Sequence, residues 1–206
     1  MSAVILTPAQ EALVGLSAAL AGGRAPALDR ALRQADARAG AREVEEALLQ
    51  SYLFLGYPAA LNGFGRWRDL TGREAGPAIP DTDRWRQRGD RVCAAVYGGQ
   101  YDGLRANVRR LHPEMEQWML EEGYGKVLGR PGLGLPTREL CIVALLAVRD
   151  APRQLYSHVR GALNVGASPA AVRRAMDIAA TFGSEEARAR ASNVLEAVLQ
   201  RPSAAT

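Results

Sequence analysis

Apolar residues recur with helical spacing along most of the chain. The first such segment follows Thr7 and Pro8, a pair typical of a helix start, and stops at Gly22-Gly23. Apolar positions 28, 31, 32 and 35 form a second helical stripe, and a third runs from position 44 to Gly56, where Tyr57-Pro58 breaks it. No alternating, β-branched run of strand length interrupts this pattern. The chain is therefore predicted to be an all-α helical bundle.

Residues 135–166, "LPTRELCIVALLAVRDAPRQLYSHVRGALNVG", predict two packed helices joined by a tight turn. The first helix is nearly uncharged after Arg138 and Glu139, and the returning helix carries His158. If the chain reverses at 149–152, His158 lies about one helical turn, ~6 Å along the axis, from Glu139. The spacing therefore predicts a Glu139–His158 pair in which the carboxylate orients the imidazole.

A connector rich in proline, glycine and charge, residues 71–89, separates two helical parts of the chain. These parts are residues 1–70 and residues 90–206. They align with each other at an offset of about 127 residues, which drifts to 128 where Val44 lies against Val172. The alignment predicts a duplicated chain of two pseudo-symmetric halves, and chance similarity between Ala/Leu-rich helices is the alternative.

Composition and charge exclude several classes of function. The chain of 206 residues is 48% apolar and 23% charged, as expected of a folded protein. Its net charge of +4 comes from arginines scattered among acids, so no nucleic-acid partner is expected. No run approaches the roughly 18 apolar residues of a membrane span, and no basic region of a signal peptide precedes the first helix, so we expect no membrane partner and a cytoplasmic location. Cys93 and Cys141 are too few and too far apart for a disulfide framework or a metal site.

Three stretches of the sequence resemble the carboxymuconolactone decarboxylase family. They are "EVEEALLQSYLFLGYPAALNGF", "GYGKVLGRPGLGLPTRELCIVALLAV" and "LYSHVRGALNVGASPAAVRRAM". The motifs are a Gly-x-Val-x-x-Arg-x-Gly-Leu lead-in, an Arg-Glu-Leu helix start, and a His-x-Arg-x-Ala-Leu-Asn-x-Gly turn before a Ser-Pro-capped helix. The resemblance covers roughly residues 40–65 and 90–182. It implies an all-α fold, a small-molecule substrate and self-association, here into a trimer or a dimer.

The thiol-peroxidase branch of the superfamily, similar to alkyl hydroperoxidase D, uses a Glu, two cysteines separated by two residues, and a His. Glu139 and His158 fall at the Glu and His spacing of that motif, but Ala151 and Gln154 occupy the cysteine positions. The thiolate that attacks a peroxide and the thiol that resolves the sulfenic acid are both missing there. A redox role through the two remaining cysteines is therefore the less favoured alternative.

The decarboxylase branch implies a different site, one that needs no cofactor. Its chemistry requires a proton donor near carbon and a group that holds an anionic oxygen. His158 is the predicted acid–base residue, Glu139 its orienting partner, and Arg130 or Arg138 the anchor of an anionic substrate. Further predicted substrate contacts are Arg160, Tyr57 and Asn62. We therefore expect a lyase or isomerase that acts on a small carboxylated metabolite such as a lactone, and a non-catalytic oligomeric scaffold is the alternative from another class.

The two halves differ in which site residues they keep. The repeat places Ala31 where the second half has His158, and only the first half has the Gly-Tyr-Pro turn. This predicts a single pocket in which His158 meets the segment Gly56–Asn62. The simpler alternatives are that His158 has only a structural role and that the segment Gly56–Asn62 only ends a helix. The aromatic residues of the first half are predicted to be core: Tyr52, Phe54, Phe64 and Trp67.

Overall fold

The structure, a computed structural model, describes residues 5–76 and 84–200, and every regular element within them is helical. The all-α prediction is confirmed. The helices are α1 Pro8–Gly22, α2 Ala25–Arg38, α3 Ala41–Thr71, α4 Trp85–Tyr97, α5 Tyr101–Leu111, α6 Pro113–Trp118, α7 Leu135–Val148, α8 Pro152–Asn164, α9 Pro169–Ala179 and α10 Glu185–Leu199. A 3₁₀ turn, Gly98–Gln100, precedes α5, and a π-helix, Met119–Leu128, follows α6. Among the helices of these described residues, none combines the length and apolarity needed to cross a membrane.

The ends of the first helix follow from the residues that predicted them. The Thr7 hydroxyl accepts a hydrogen bond from the Gln10 amide at 3.2 Å, and the Gln10 side chain accepts one from the Thr7 amide at 2.9 Å. This capping box supplies partners for backbone groups that a helix start leaves free. Gly23 ends α1 with a φ of 66°, a conformation that glycine adopts without strain.

The third helix consists of two helical segments joined at a kink. Gly56 has a φ of 79° and a ψ of 165° inside α3, and the helix continues beyond Pro58 to Thr71. Proline has no amide proton and its ring clashes with the preceding turn, so a straight helix is impossible at this point. The positive φ of Gly56 lets the chain change direction before the second segment starts, so the helix end predicted at Gly56 and the further helix after Pro58 are both confirmed.

Helix α7 lies at the centre of the core. All ten residues from Arg138 to Ala147 are buried, and the helix packs against α1, α8 and α9. Helix α1 in turn packs against α2, α3 and α9. The predicted division at residues 71–89 and the duplication stay predictions, and residues 77–83 of that connector lie outside the described residues.

Helix α4 and the π-helix pack with their backbones in direct contact. A Cβ atom on Gly89 would lie 1.9 Å from the Leu120 carbonyl oxygen, and one on Gly125 would lie 2.2 Å from the Trp85 carbonyl oxygen. Only glycine fits at these two positions, because a side chain would overlap a backbone that is held by its own helix. The contact fixes the π-helix beside α4, and this pair forms one wall of the cavity described below.

Replacing Gly125 by alanine should therefore destabilise the fold. We expect a loss of about 2–3 kcal/mol in the free energy of unfolding, measured by urea denaturation, because the added methyl group overpacks the α4 contact. Gly103→Ala is the matched control, since a Cβ there meets no atom within 4 Å. That variant should gain up to about 1 kcal/mol through helix propensity. Wild-type stability of Gly125→Ala would contradict the close packing.

Candidate functional site

The turn between α7 and α8 brings Glu139 and His158 together. Asp150 adopts a left-handed φ of 55° at this turn, and both of its carboxylate oxygens accept hydrogen bonds from Arg190, at 2.7 and 2.6 Å. Aspartate tolerates this conformation better than most residues, and Pro152 then starts the returning helix. In the resulting hairpin, His158 Nδ1 lies 2.8 Å from Glu139 Oε2. The contact that the spacing predicts is present.

Both members of this pair are buried, and their neighbours hold them in place. Glu139 is fully buried and His158 is 6% exposed. The Phe54 ring meets the imidazole edge-on, with centroids 5.5 Å apart. A Cβ on Gly161 would lie 3.1 Å from Glu139 Oε2 and 2.6 Å from a Val96 methyl, so the absence of a side chain at Gly161 lets α8 approach both. A carboxylate facing Nδ1 favours a proton on that nitrogen and leaves Nε2 with a free lone pair.

Glu139 has unused hydrogen-bonding capacity. Its Oε1 atom is buried and has no hydrogen-bond partner among the described residues. A buried carboxylate oxygen without a partner costs free energy, so Oε1 needs a specific explanation. Together with the oriented imidazole, this oxygen makes the pair a candidate for chemistry.

His158 lines a cavity of about 330 Å³ with a mostly apolar wall. The apolar lining comes from Leu53, Phe54, Met115, Trp118, Met119 and Leu128. The polar side chains that line it, besides His158, are Tyr97, Glu122 and Tyr124. Among the described residues that line the cavity there is no arginine or lysine. The cavity suits a small, largely apolar molecule that carries a polar group.

The arginines predicted to anchor a substrate bind a buried glutamate instead. Arg138 is fully buried, and its Nη2 lies 2.9 Å from Glu46 Oε2. Arg130 Nε lies 3.2 Å from the same oxygen, and Arg42 Nη2 lies 2.7 Å from Glu46 Oε1. Arg138 also donates to the carbonyl oxygen of Leu133 at 3.1 Å. These arginines do not line the cavity, so the structure does not bring the predicted anchors Arg130 and Arg138 to His158.

The other predicted substrate contacts also lie elsewhere. Tyr57 is 59% exposed and stacks on Tyr52 with centroids 4.8 Å apart, and Asn62 is exposed. Arg160 is half-buried and does not line the cavity, because it lies two residues beyond His158 on another face of α8. The first half does contribute to the cavity, but through Leu53 and Phe54, just before the predicted segment Gly56–Asn62. Phe54, predicted as core, therefore faces the site.

Ala31, which the predicted repeat aligns with His158, lies in a separate, open groove. Ala31 lines a depression of about 770 Å³ between α1, α2 and α9, and this depression is rimmed by arginines. With alanine in place of histidine, this region has no acid–base group at that position. The chain therefore has one His–Glu pair in the residues that the structure describes, at His158.

Neither cysteine is suited to thiol chemistry. Cys93 and Cys141 are both fully buried. Burial raises the pKa of Cys93 from its ordinary value of 9.0 to about 12, and the charge of Asp90 adds to the effect. Burial likewise raises the pKa of Cys141 to about 12. Because the thiolate is the reactive form, the redox alternative is not favoured. In residues 5–76 and 84–200, no group of three or more His, Cys, Asp or Glu side chains is placed to hold a metal ion.

Two cavity residues that sequence reasoning missed are tyrosines. Tyr97 ends α4 and Tyr124 lies in the π-helix, and their hydroxyl oxygens are 3.3 Å apart. Tyr124 falls inside the "GYGKVLG" stretch of the family motif, which was the one signal available for it. Tyr97 carries no such signal, because only the packing of α4 on the π-helix brings it to the cavity.

The chain is similar to a known protein family and to a protein of fission yeast. Residues 113–197 match the model of the carboxymuconolactone decarboxylase family. A protein of Schizosaccharomyces pombe (strain 972 / ATCC 24843) named "Peroxisomal protein 2" is 28% identical over 152 residues, which cover 69% of this chain and 70% of that relative. The family match includes Glu139, His158 and Tyr124, and it leaves out Tyr97 and the α3 wall of the cavity.

Removing Arg138 should cost stability. Burial lowers the pKa of its guanidinium, and the Glu46 carboxylate opposes that effect, so the two charges depend on each other. Arg138→Met removes the most buried of the three partners of Glu46, and we expect a loss of about 3–5 kcal/mol in urea denaturation. Arg173→Ala, which breaks an exposed ion pair with Glu196, is the control and should cost less than about 1 kcal/mol. Equal stability of both variants would contradict the structural role of Arg138.

The cysteines should resist alkylation in the folded protein. With a pKa of about 12, both thiols stay protonated at about pH 7 to 9, so iodoacetamide should label them only after unfolding in urea. The unfolded thiols ionise near their ordinary value of 9.0, so the free energy of unfolding should fall as the pH rises above about 9. Mass spectrometry and pH-dependent denaturation measure these effects. Rapid labelling of folded Cys93 near neutral pH would instead support a thiol role.

Proposed function

We propose that the chain, whose residues 113–197 match the model of the carboxymuconolactone decarboxylase family, is an acid–base lyase or isomerase of a small carbonyl compound such as a lactone. The observation that carries this proposal is the 2.8 Å contact between His158 Nδ1 and Glu139 Oε2 at the wall of an apolar cavity. A histidine oriented by a carboxylate and open to a cavity is a common acid–base arrangement.

The proposed step is a proton transfer at carbon that needs no cofactor. His158 Nε2 takes a proton from the carbon beside the carbonyl group, the electron pair of the broken C–H bond forms a C=C bond, and the carbonyl π electrons move to oxygen. The imidazolium cation then lies against the Glu139 carboxylate, which stabilises its charge. Return of the proton to a different carbon gives an isomer, and departure of a β-substituent gives a lyase reaction.

A carboxylated lactone fits the same chemistry in the form that the family name suggests. There the C–CO₂ bond breaks, its electron pair passes to the neighbouring conjugated carbonyl group, and protonated His158 donates a proton to carbon as CO₂ leaves. The charges of the cavity lining disfavour a carboxylated substrate. The lining contains the Glu122 carboxylate and, among the described side chains, no guanidinium or ammonium group. We therefore rank an uncharged carbonyl compound above a carboxylated one.

Self-association is proposed alongside this activity. Leu111, Met115 and Trp118 are 82%, 50% and 53% exposed, and the last two line the cavity. Apolar side chains of this size at a surface often mark a contact with another protein. A second copy of the chain would cover them, as the family resemblance implies.

The test is turnover of paired lactones, one with a free carboxylate and one as its methyl ester, followed by ultraviolet absorbance. His158→Ala should lower kcat/KM by about 10²–10⁴-fold, because it removes the acid–base group. Glu139→Gln should lower it by about 10–100-fold through loss of orientation. The double variant Cys93→Ala/Cys141→Ala is the control and should keep wild-type turnover.

Circular dichroism of each variant establishes that the fold is intact. Turnover that survives in His158→Ala would contradict the assigned acid–base residue. Turnover that is lost in the cysteine variant would revive the redox alternative. A folded oligomer that turns over neither lactone would favour the scaffold.

A further inference from the structure

Tyr97 and Tyr124 place two hydroxyl groups at the same cavity as His158. Tyr124 is 4% exposed, Tyr97 is half-buried, and their rings meet edge-on with centroids 6.0 Å apart. The Tyr124 hydroxyl donates a hydrogen bond to the Tyr97 oxygen at 3.3 Å. Apart from His158 and the half-exposed Trp118, these two supply the side-chain hydrogen-bond donors of the lining.

One of the two hydroxyl protons of Tyr97 and Tyr124 has no acceptor among the described residues. A phenol has a single proton to donate, and Tyr124 uses its proton on Tyr97. The proton of Tyr97 has no acceptor among the described residues, although its oxygen already accepts a bond. A hydroxyl that accepts a hydrogen bond becomes a stronger donor, so Tyr97 is prepared to donate to a group inside the cavity.

The electrostatics keep both hydroxyls protonated. Burial raises the pKa of Tyr97 to about 12, and the negative charge of Glu139 adds to that effect. Burial also raises the pKa of Tyr124 well above its ordinary value, with contributions from Tyr97 and Glu139. The two tyrosines are therefore neutral donors at any physiological pH. The charge of Glu139 acts on both hydroxyl groups, so both lie near the His158–Glu139 pair.

We propose that Tyr97 and Tyr124 form the subsite for the carbonyl oxygen of the substrate, with Tyr97 donating to that oxygen and Tyr124 positioning Tyr97. This inference rests on the proposed function. As His158 removes the proton from carbon, negative charge builds on the carbonyl oxygen, and a fixed donor in an apolar cavity stabilises it strongly. The subsite takes over the role that the sequence assigns to Arg130 and Arg138. It selects an uncharged ketone, ester or lactone, because a neutral donor binds a carbonyl oxygen without needing a negative charge.

The first experiment measures binding without turnover. Acetophenone labelled with ¹³C at its carbonyl group serves as the probe, since it is uncharged, apolar and unreactive to simple lyase chemistry. Isotope-edited infrared spectra of the wild-type complex should show the carbonyl stretch at lower wavenumber than in the Tyr97→Phe complex. The dissociation constant should rise about tenfold in Tyr97→Phe and about threefold in Tyr124→Phe. Tyr101→Phe is the matched control, because its hydroxyl binds Asp90 outside the cavity, and it should leave both readings unchanged.

The same variants are then assayed for lactone turnover. Tyr97→Phe should lower kcat by about 10–100-fold with a smaller change in KM, because the hydrogen bond strengthens as charge develops. Tyr124→Phe should lower kcat by a smaller factor, and its infrared shift should lie between those of wild type and Tyr97→Phe, which a merely structural role would not produce.

The outcomes separate the subsite from the proposed activity. A Tyr97-dependent carbonyl shift without any turnover supports the subsite and contradicts the proposed function. Turnover that needs His158 but is indifferent to Tyr97 supports the function and overturns the subsite. A wild-type protein that does not bind acetophenone, or whose bound carbonyl stretch is the same in Tyr97→Phe, also overturns the subsite.

Discussion

Arg138 and Glu139 enter the most deeply buried helix side by side, and each needs a partner of opposite charge or hydrogen-bonding capacity. A buried charge without such a partner is among the costliest defects in a fold. Because adjacent residues of a helix point in different directions, the two side chains reach different neighbours. Arg138 reaches Glu46 of α3, and Glu139 reaches His158 of α8. The need of these two side chains for buried partners therefore fixes α3 and α8 around α7.

The need for buried charges to be paired also determines which charged residues stabilise the fold and which face the cavity. Glu46 is surrounded by Arg42, Arg130 and Arg138, so the two arginines predicted to anchor a substrate hold the helices together instead. The cavity keeps the His158 imidazole, the Glu122 carboxylate and neutral hydroxyl groups. Charge development during a reaction there would be stabilised by fixed dipoles in an apolar surrounding, where each hydrogen bond has more effect than in water.

The cavity owes its shape to unusual backbone packing. Gly89 and Gly125 let α4 and the π-helix touch backbone to backbone, and Gly161 lets α8 come close to Val96 and Glu139. A π-helix of this length is uncommon, and such irregular helices are often found at functional sites. Here the π-helix carries Met119, Tyr124 and part of the remaining lining toward His158.

The sequence alone determined the features that depend on neighbouring residues. Helical spacing predicted the all-α class, and Thr7, Pro8 and Gly22-Gly23 marked the ends of α1, since caps act within one turn. The Glu139–His158 contact was predictable for the same reason, because a tight turn fixes the register of the two helices that it joins. Only the tertiary structure decided the rest. Arg138 and Glu46 are separated by 92 residues, and Tyr97 reaches the cavity only through the packing of α4, so local patterns contain no information about either. Burial also makes both cysteine thiols unreactive. The environment of a thiol sets its reactivity, and the spacing of cysteines along the chain does not show that environment.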